Sequence, residues 1–293
     1  MDAQNPSSTP TFASSTPVHI GAIGLAVRDL PGMTAFYQRL LGLTLQQQTA
    51  TGARLGVGDV PIIHLTTRPG LKPDDPAEAG LYHTAFLMPT RADLARWLLK
   101  VAQDRTPITG ASDHSVSEAI YLDDPEGNGI EVYSDRPQNA WIYNEGLLKI
   151  STDPLDIDDL VQAGQGAEPY IEAPGGFRIG HVHLRVGDTA AAADFYHGVV
   201  GLDVITRLRH GAVFLSSGGY HHHIGSNVWH SRGAGRRDET RAGLDWFSFG
   251  LADDATEQAL RQRLKAANLP ATDAEGGFET SDPWGTRVRF TRG

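Results

Sequence analysis

The 293-residue chain contains no cysteine. That excludes disulfides, thiol nucleophiles and thiolate metal sites, so any bound metal must draw on His, Asp, Glu or water. No apolar run approaches the roughly 20 residues that a bilayer-spanning helix needs. Positive charge is scarce: 25 Lys and Arg stand against 35 Asp and Glu, a formal charge of -10. Such an acidic chain argues against nucleic acid as the main partner. Residues 1–17 are rich in Ser, Thr and Pro and lack the basic start and apolar core of a secretory signal. They are expected to form a disordered tail on a cytoplasmic protein. What the chain does have is glycine, 33 residues of it, and length enough for two domains. Abundant glycine fits a fold of many strands and turns.

The chain repeats itself. Gly21-Ala22-Ile23-Gly24-Leu25-Ala26-Val27-Arg28-Asp29 leads to Phe36-Tyr37 and Gly42-Leu43. Gly180-His181-Val182-His183-Leu184-Arg185-Val186-Gly187-Asp188 leads, without a gap, to Phe195-Tyr196 and Gly201-Leu202. Each reads as a strand, an amphipathic helix capped by the Asp, a glycine that ends the helix, and further strands. A second pair matches Gly80-Leu81-Tyr82-His83 with Gly243-Leu244-Asp245-Trp246, and Asp124-Pro125-Glu126-Gly127 with Asp282-Pro283-Trp284-Gly285. The Asp-Pro-X-Gly segments read as tight turns between strands. The spacing predicts helices over 91–103 and 256–267. The result is an α+β chain of four βαβββ units, at 18–67, 80–134, 178–230 and 243–291. A unit of this size cannot close a core alone, so the units must pair. Units one and two make a first domain, residues 18–135, and units three and four a second, residues 178–293. Residues 136–177, rich in Pro, Gly and Asp, form the linker, where Trp141 and Tyr143 are candidates for contact with a substrate.

His83 and Glu131 both sit inside apolar, strand-like runs. Burying an imidazole and a carboxylate in strands is costly unless something pairs them, and a metal ion would pair both. A third ligand must then come from elsewhere.

The four-fold unit, with Gly-His-Val-His-Leu-Arg-Val-X-Asp, Phe-Tyr and Asp-Pro-Glu-Gly-Asn, resembles the vicinal oxygen chelate superfamily of glyoxalases, bleomycin resistance proteins and extradiol dioxygenases. The resemblance covers almost everything beyond the tail. It implies that paired units form two cupped sheets, one around a metal whose ligands come from first and last strands. The first-strand positions are Ala22, His83, His181 and Trp246; the last-strand positions include His64, Glu131 and Arg289. Only units two and three carry a full set, His83, Glu131 and His181. The active pair is therefore units two and three, and units one and four make the metal-free cup. His183, on the same strand face as His181, is the alternative; alignment of the repeats favours His181. Two imidazoles and one carboxylate are the facial set of non-haem Fe(II) oxygenases, and Mn(II) suits the same donors.

Within the superfamily the chain is most similar to the type I extradiol dioxygenases, in the bacterial catechol-2,3-dioxygenase branch. Phe214-Leu215 followed by Tyr220-His221-His222 resembles the family's His-His pair, which makes His222 the acid/base residue. Tyr121 stands ten residues before Glu131, as the family's catalytic Tyr does, and His114 precedes it. These two would hydrogen-bond the substrate oxygens. The implied reaction cleaves a catechol with O2 beside its two hydroxyls, giving a 2-hydroxymuconic semialdehyde-type product. Asn227 and Trp229 complete the branch's pattern without an assigned role.

Each feature has a plainer reading. A lone strand His is more often a packing residue than a ligand. Tyr121 could be an ordinary sheet aromatic, and His221–His223 a solvated loop. Alternation in a strand would let only His222 of that run, or only its two neighbours, reach the cavity. His19, His64, His197, His210 and His230 read as surface or packing residues. Two rival functions follow from the same fold. A metal-dependent lyase or isomerase needs a fourth protein ligand, which unit three does not offer. A non-enzymatic binding protein needs no triad, Tyr and His pair together.

Overall fold

The protein is described by a computed structural model over residues 11–144 and 147–292. Unit one comprises β1 (Val18–Ala26), α1 (Leu30–Leu41), β2 (Thr44–Gln48), β3 (Gly52–Val57) and β4 (Val60–Thr66). Unit two comprises β5 (Gly80–Leu87), α2 (Arg91–Gln103), β6 (Gly110–Asp113), β7 (Ser117–Asp123) and β8 (Gly129–Asp135). The connecting stretch holds two short strands, β9 (Tyr143–Asn144) and β10 (Leu147–Leu148), and the helix α3 (Ile157–Gln162). Unit three comprises β11 (Arg178–Arg185), α4 (Thr189–Ala193) running into a π-helical turn (Asp194–Val200), β12 (Asp203–Leu208), β13 (Ala212–Ser216) and β14 (Ile224–Asn227). Unit four comprises β15 (Gly243–Leu251), α5 (Asp254–Ala266), β16 (Thr272–Ala274), β17 (Gly277–Ser281) and β18 (Arg287–Arg292).

The expected caps form. The Asp29 side chain accepts from Gly32 N–H, and Asp188 from Ala190 and Ala191 N–H, satisfying orphan donors at the helix starts. Gly42 and Gly201 end their helices at φ 67° and 93°, where a Cβ would be strained.

The α+β architecture is two eight-stranded sheets, ordered β16-β17-β18-β15-β1-β4-β3-β2 and β12-β13-β14-β11-β5-β8-β7-β6. Each sheet joins one unit from either side of residues 136–177. Units one and four meet through antiparallel β1 and β15, and units two and three through antiparallel β5 and β11. The helices pack by the other rule, within each half. Trp97 Nε1 of α2 donates to Leu40 O of α1, and Arg263 of α5 donates to Val199 O and Val200 O.

The repeated motifs make the same contact twice. Tyr37 Oη donates to Asp124 at 2.8 Å, and Tyr196 Oη donates to Asp282 at 3.1 Å. The Phe-Tyr of one unit is thus latched to the Asp-Pro-X-Gly turn of the next. All four side chains are buried, where a satisfied polar pair favours one packing over its neighbours.

Residues 11–17 depart from the expected tail. Phe12–Ser15 forms a 3-10 turn, Ala13 is buried, and Phe12 packs its ring against Trp141 and Tyr220. A large aromatic close to other apolar rings removes enough surface from water to hold this segment down. Residues 1–10 lie outside the described residues.

Candidate metal centre and its cavity

The register of the second sheet sets up the site. Tyr121 pairs with Glu131, Glu131 with Ala85, and Ala85 with His181, a row running across β7, β8, β5 and β11. The next row on the same face, two residues along, pairs His83 with His183. Bulges in the β11–β5 pairing fall on either side of His181 to His183. Bulges add local twist and re-aim side chains, which is how β11 can turn both rings to one cavity. Glycines flank these rings. A Cβ at Gly225 would lie 2.9 Å from the His183 ring, so the close approach there requires glycine.

Among the described residues, one group of three offers ligand atoms within 4.8 Å of one another: His83, Glu131 and His181. His181 Nε2 lies 3.3 Å from Glu131 Oε2, and His83 Nε2 3.0 Å from the same oxygen. The His83 nitrogen is off the line of a hydrogen bond and is buried without a partner. A buried polar atom left unpaired costs roughly 1–3 kcal/mol. A cation shared with Glu131 and His181 would remove that cost, and the donor set, two imidazoles and a carboxylate, suits a divalent transition metal. His181 Nδ1 is likewise buried without a partner, so packing against Tyr133 and His222 fixes that ring.

The protonation states favour ligation. Burial works to raise the Glu131 carboxyl, but the His181 and His83 imidazoles outweigh it and hold the group well below the usual carboxylate range. Burial lowers His181 to about 4, against the opposing pull of Glu131. The site therefore presents an ionised carboxylate and an imidazole free of excess proton near neutrality, the forms in which both bind metal.

The three groups open on a cavity of about 460 Å³, which Tyr121, His114, His222 and His183 also line. Tyr121 Oη and His114 Nε2 are 2.6 Å apart, and His114 Nδ1 is 2.6 Å from Ser151 O. A carbonyl only accepts, so Nδ1 carries the hydrogen and Nε2 of the neutral ring accepts from Tyr121. Burial, then the charge of Glu131, push the Tyr121 hydroxyl well above its ordinary value, so it stays protonated. His222 packs its ring 4.0 Å from that of His181, centre to centre. Burial, followed by the neighbouring imidazoles, lowers His222 well below 6.5, which leaves it neutral.

All six side chains named from the sequence, His83, Glu131, His181, Tyr121, His114 and His222, line this one cavity. His222 is the member of the His221–His223 run that lines it, but the run is a loop and not a strand. His183 lines the cavity too, yet its Nε2 accepts from Asn227 Nδ2 at 3.1 Å and it stands outside the group of three. Trp141 and Tyr143 do not line it: Trp141 is buried against Phe12, Tyr220 and His221, and Tyr143 is exposed. The connecting stretch contributes Ile150 and Thr152 instead. The sequence reading also missed the aromatic wall. Tyr82 and Trp229 approach edge-on at 5.2 Å between ring centres, and His210, expected to be a surface or packing residue, stacks on Trp229 at the rim. The Asn-X-Trp of the branch pattern was the available signal for Trp229, and Asn227 turns out to hold His183.

The first sheet's cup has the same topology and different contents. Trp246 stacks under the Arg289 guanidinium at 4.0 Å and meets the His64 ring at 5.0 Å. Glu279 pairs with Arg289 at 2.9 Å. A cation–π stack fills the place that metal ligands take in the second sheet.

The sequence model of the Glyoxalase/Bleomycin resistance protein/Dioxygenase superfamily matches residues 19–132 and 178–290. A catechol-2,3-dioxygenase of Bacillus subtilis is 35% identical over 269 residues, covering 90% of this chain and 94% of that protein. A biphenyl-2,3-diol 1,2-dioxygenase of Rhodococcus globerulus is 29% identical over 48% of this chain and 80% of that protein. Among solved structures, glyoxalase I of Zea mays superposes with a TM-score of 0.57 at 15% identity, over 96% of this chain and 94% of that one, a likeness of fold alone. Sequence repeats, sheet topology and family match agree: the chain belongs to the Glyoxalase/Bleomycin resistance protein/Dioxygenase superfamily.

Proposed function

We propose that the protein is an Fe(II)-dependent extradiol dioxygenase that cleaves a catechol with O2. The observation that carries this reading is the buried His83, Glu131 and His181 group opening on a cavity that Tyr121, His114 and His222 share. The identity to a catechol-2,3-dioxygenase over nearly the full length supports it. When bound, Fe(II) supplies a common template for the catechol and dioxygen and a route for electrons between them. His83, Glu131 and His181 hold it. Mn(II) would suit the same donors.

The remaining groups handle protons and orientation. Tyr121 uses its only hydrogen on His114 Nε2, so its oxygen is available to accept from a catechol hydroxyl. A proton arriving there can pass along to His114, whose Nδ1 is anchored on Ser151 O. His222, neutral beside His181, takes up and returns the proton needed as the ring opens. The aromatic wall of Tyr82, Phe214 and Trp229 excludes water and presses on the flat substrate. Opening the bond next to the two hydroxyls places both oxygens of O2 in the product, a 2-hydroxymuconic semialdehyde. Residues 18–135 and 178–293 act as two domains of one enzyme, with 136–177 the linker that closes part of the wall.

A four-ligand lyase or isomerase is less well supported. Among the described residues no fourth acid joins the group of three, and β14, Ile-Gly-Ser-Asn, offers none from unit three.

The test is anaerobic reconstitution with Fe(II), then catechol and air. A yellow ring-fission product with matching oxygen uptake is expected; neither colour nor uptake with any catechol tried sinks the proposal. His83→Ala and Glu131→Ala should each abolish metal retention, measured by elemental analysis. His222→Ala should retain metal and lose turnover; loss of metal there would refute its assigned place.

A further inference from the structure

Behind His222 lies a hydrogen-bond chain that the reaction scheme above does not use. His222 Nδ1 is 2.8 Å from His221 Nδ1, and His221 Nε2 is 2.9 Å from Asp135 Oδ1. Tyr220 Oη also donates to Asp135 Oδ1, at 3.1 Å. His221 is wholly buried, and Asp135 reaches it from the end of β8, four residues after Glu131.

The donors follow once His221 carries a single hydrogen. A carboxylate only accepts, so the hydrogen between His221 and Asp135 belongs to His221 Nε2. With one hydrogen on His221, its Nδ1 is an acceptor, and the hydrogen between the two rings then belongs to His222 Nδ1. That leaves His222 Nε2 with a bare lone pair. Among the described residues this nitrogen makes no hydrogen bond, and the ring lines the cavity.

We propose that Asp135 and His221 are positioning residues that hold His222 in the Nδ1–H tautomer, with the Nε2 lone pair turned to the reacting molecules. An imidazole left to itself exchanges freely between tautomers, and only the one with a bare nitrogen in the cavity can accept a proton there. The two residues thus determine whether His222 starts as base or as donor. This inference rests on His222 being the acid/base residue of the proposed dioxygenase. Asp135 and His221, the first of the paired histidines, prepare that residue for its role.

The test reads the tautomer directly and then asks what it is worth. The full-length, metal-free chain, labelled with nitrogen isotope in histidine, is examined by NMR at about pH 8, where an ordinary imidazole is neutral. His222 is assigned by its loss in His222→Asn. Its hydrogen is expected on Nδ1 in the wild type and distributed over both nitrogens in Asp135→Leu. With Fe(II) restored, His221→Phe should lower kcat about 100-fold with KM for catechol and metal content unchanged. His221→Gln should recover most of that loss, because a glutamine offers one acceptor to His222 and one donor to Asp135. A merely structural role would give Phe and Gln the same activity. A hydrogen on His222 Nε2, a doubly protonated His221, or a His221→Gln no better than His221→Phe overturns the proposal. If no catechol is cleaved by the wild type, the dioxygenase reading falls, while the tautomer measurement still decides the chain on its own.

Discussion

Asp282 provides a quantitative test of how the repeats are locked together. Its Oδ1 accepts from the N–H of Trp284 and Thr286 at 3.0 and 2.9 Å, and its Oδ2 from Tyr196 Oη at 3.1 Å. Burial pushes the carboxyl up and these hydrogen bonds only partly offset it, so it rises from 3.8 to about 6. The folded chain therefore holds a proton that the unfolded chain has lost between those two values. The contribution to stability is fully present below 3.8 and disappears as pH rises through about 6. The difference between the two ends corresponds to about 3 kcal/mol. Asp282→Asn removes the titration and keeps the contacts: the amide oxygen serves both backbone donors, and the amide N–H donates to the Tyr196 oxygen. Urea unfolding of both proteins across this range is the assay. The advantage of the Asn protein should grow from near zero at low pH to about 3 kcal/mol at neutrality, a midpoint shift on the order of 1 M urea. Two curves that stay parallel across the range would refute the argument, because they would mean that Asp282 titrates alike in both states.

Tyr121→Phe removes the hydroxyl bonded to His114; on the proposed reaction kcat should fall about 10- to 100-fold while metal content by elemental analysis is unchanged. Trp229→Ala opens the rim beside His210 and Tyr82 and should move the kcat/KM ratio between catechol and a bulkier substituted catechol about 10-fold toward the larger one. Gly180→Ala places a Cβ against Tyr133 Oη, which is bonded to Tyr220 Oη at 2.6 Å and packs on His181. Metal affinity, measured by competition with a chelator, should weaken about 10- to 100-fold as the His181 ring loses its support. Unchanged affinity would show that Tyr133 does not orient the His181 ring.

Much of this molecule is written in local patterns. The Asp caps, the glycines that end helices and the Asp-Pro-X-Gly turns act within a few residues of themselves, so their spacing is enough to reveal four copies of one unit. The absence of cysteine limited the possible metal donors, and the superfamily resemblance, laid over the repeat, pointed to His83, Glu131 and His181 because the other first-strand positions carry Ala and Trp. Contacts between distant segments were a different matter. That Phe12 packs on Trp141 and Tyr220, that Trp141 turns inward while Ile150 and Thr152 face the cavity, and that His210 joins the rim all depend on how loops cross after the sheets have formed. So does the meeting of Asp135 with His221, 86 residues apart in sequence. Periodicity carries the direction of a side chain within its own strand. Which strand lies beside it, and hence which hydrogen bonds and protons it shares, is decided only when the units pair.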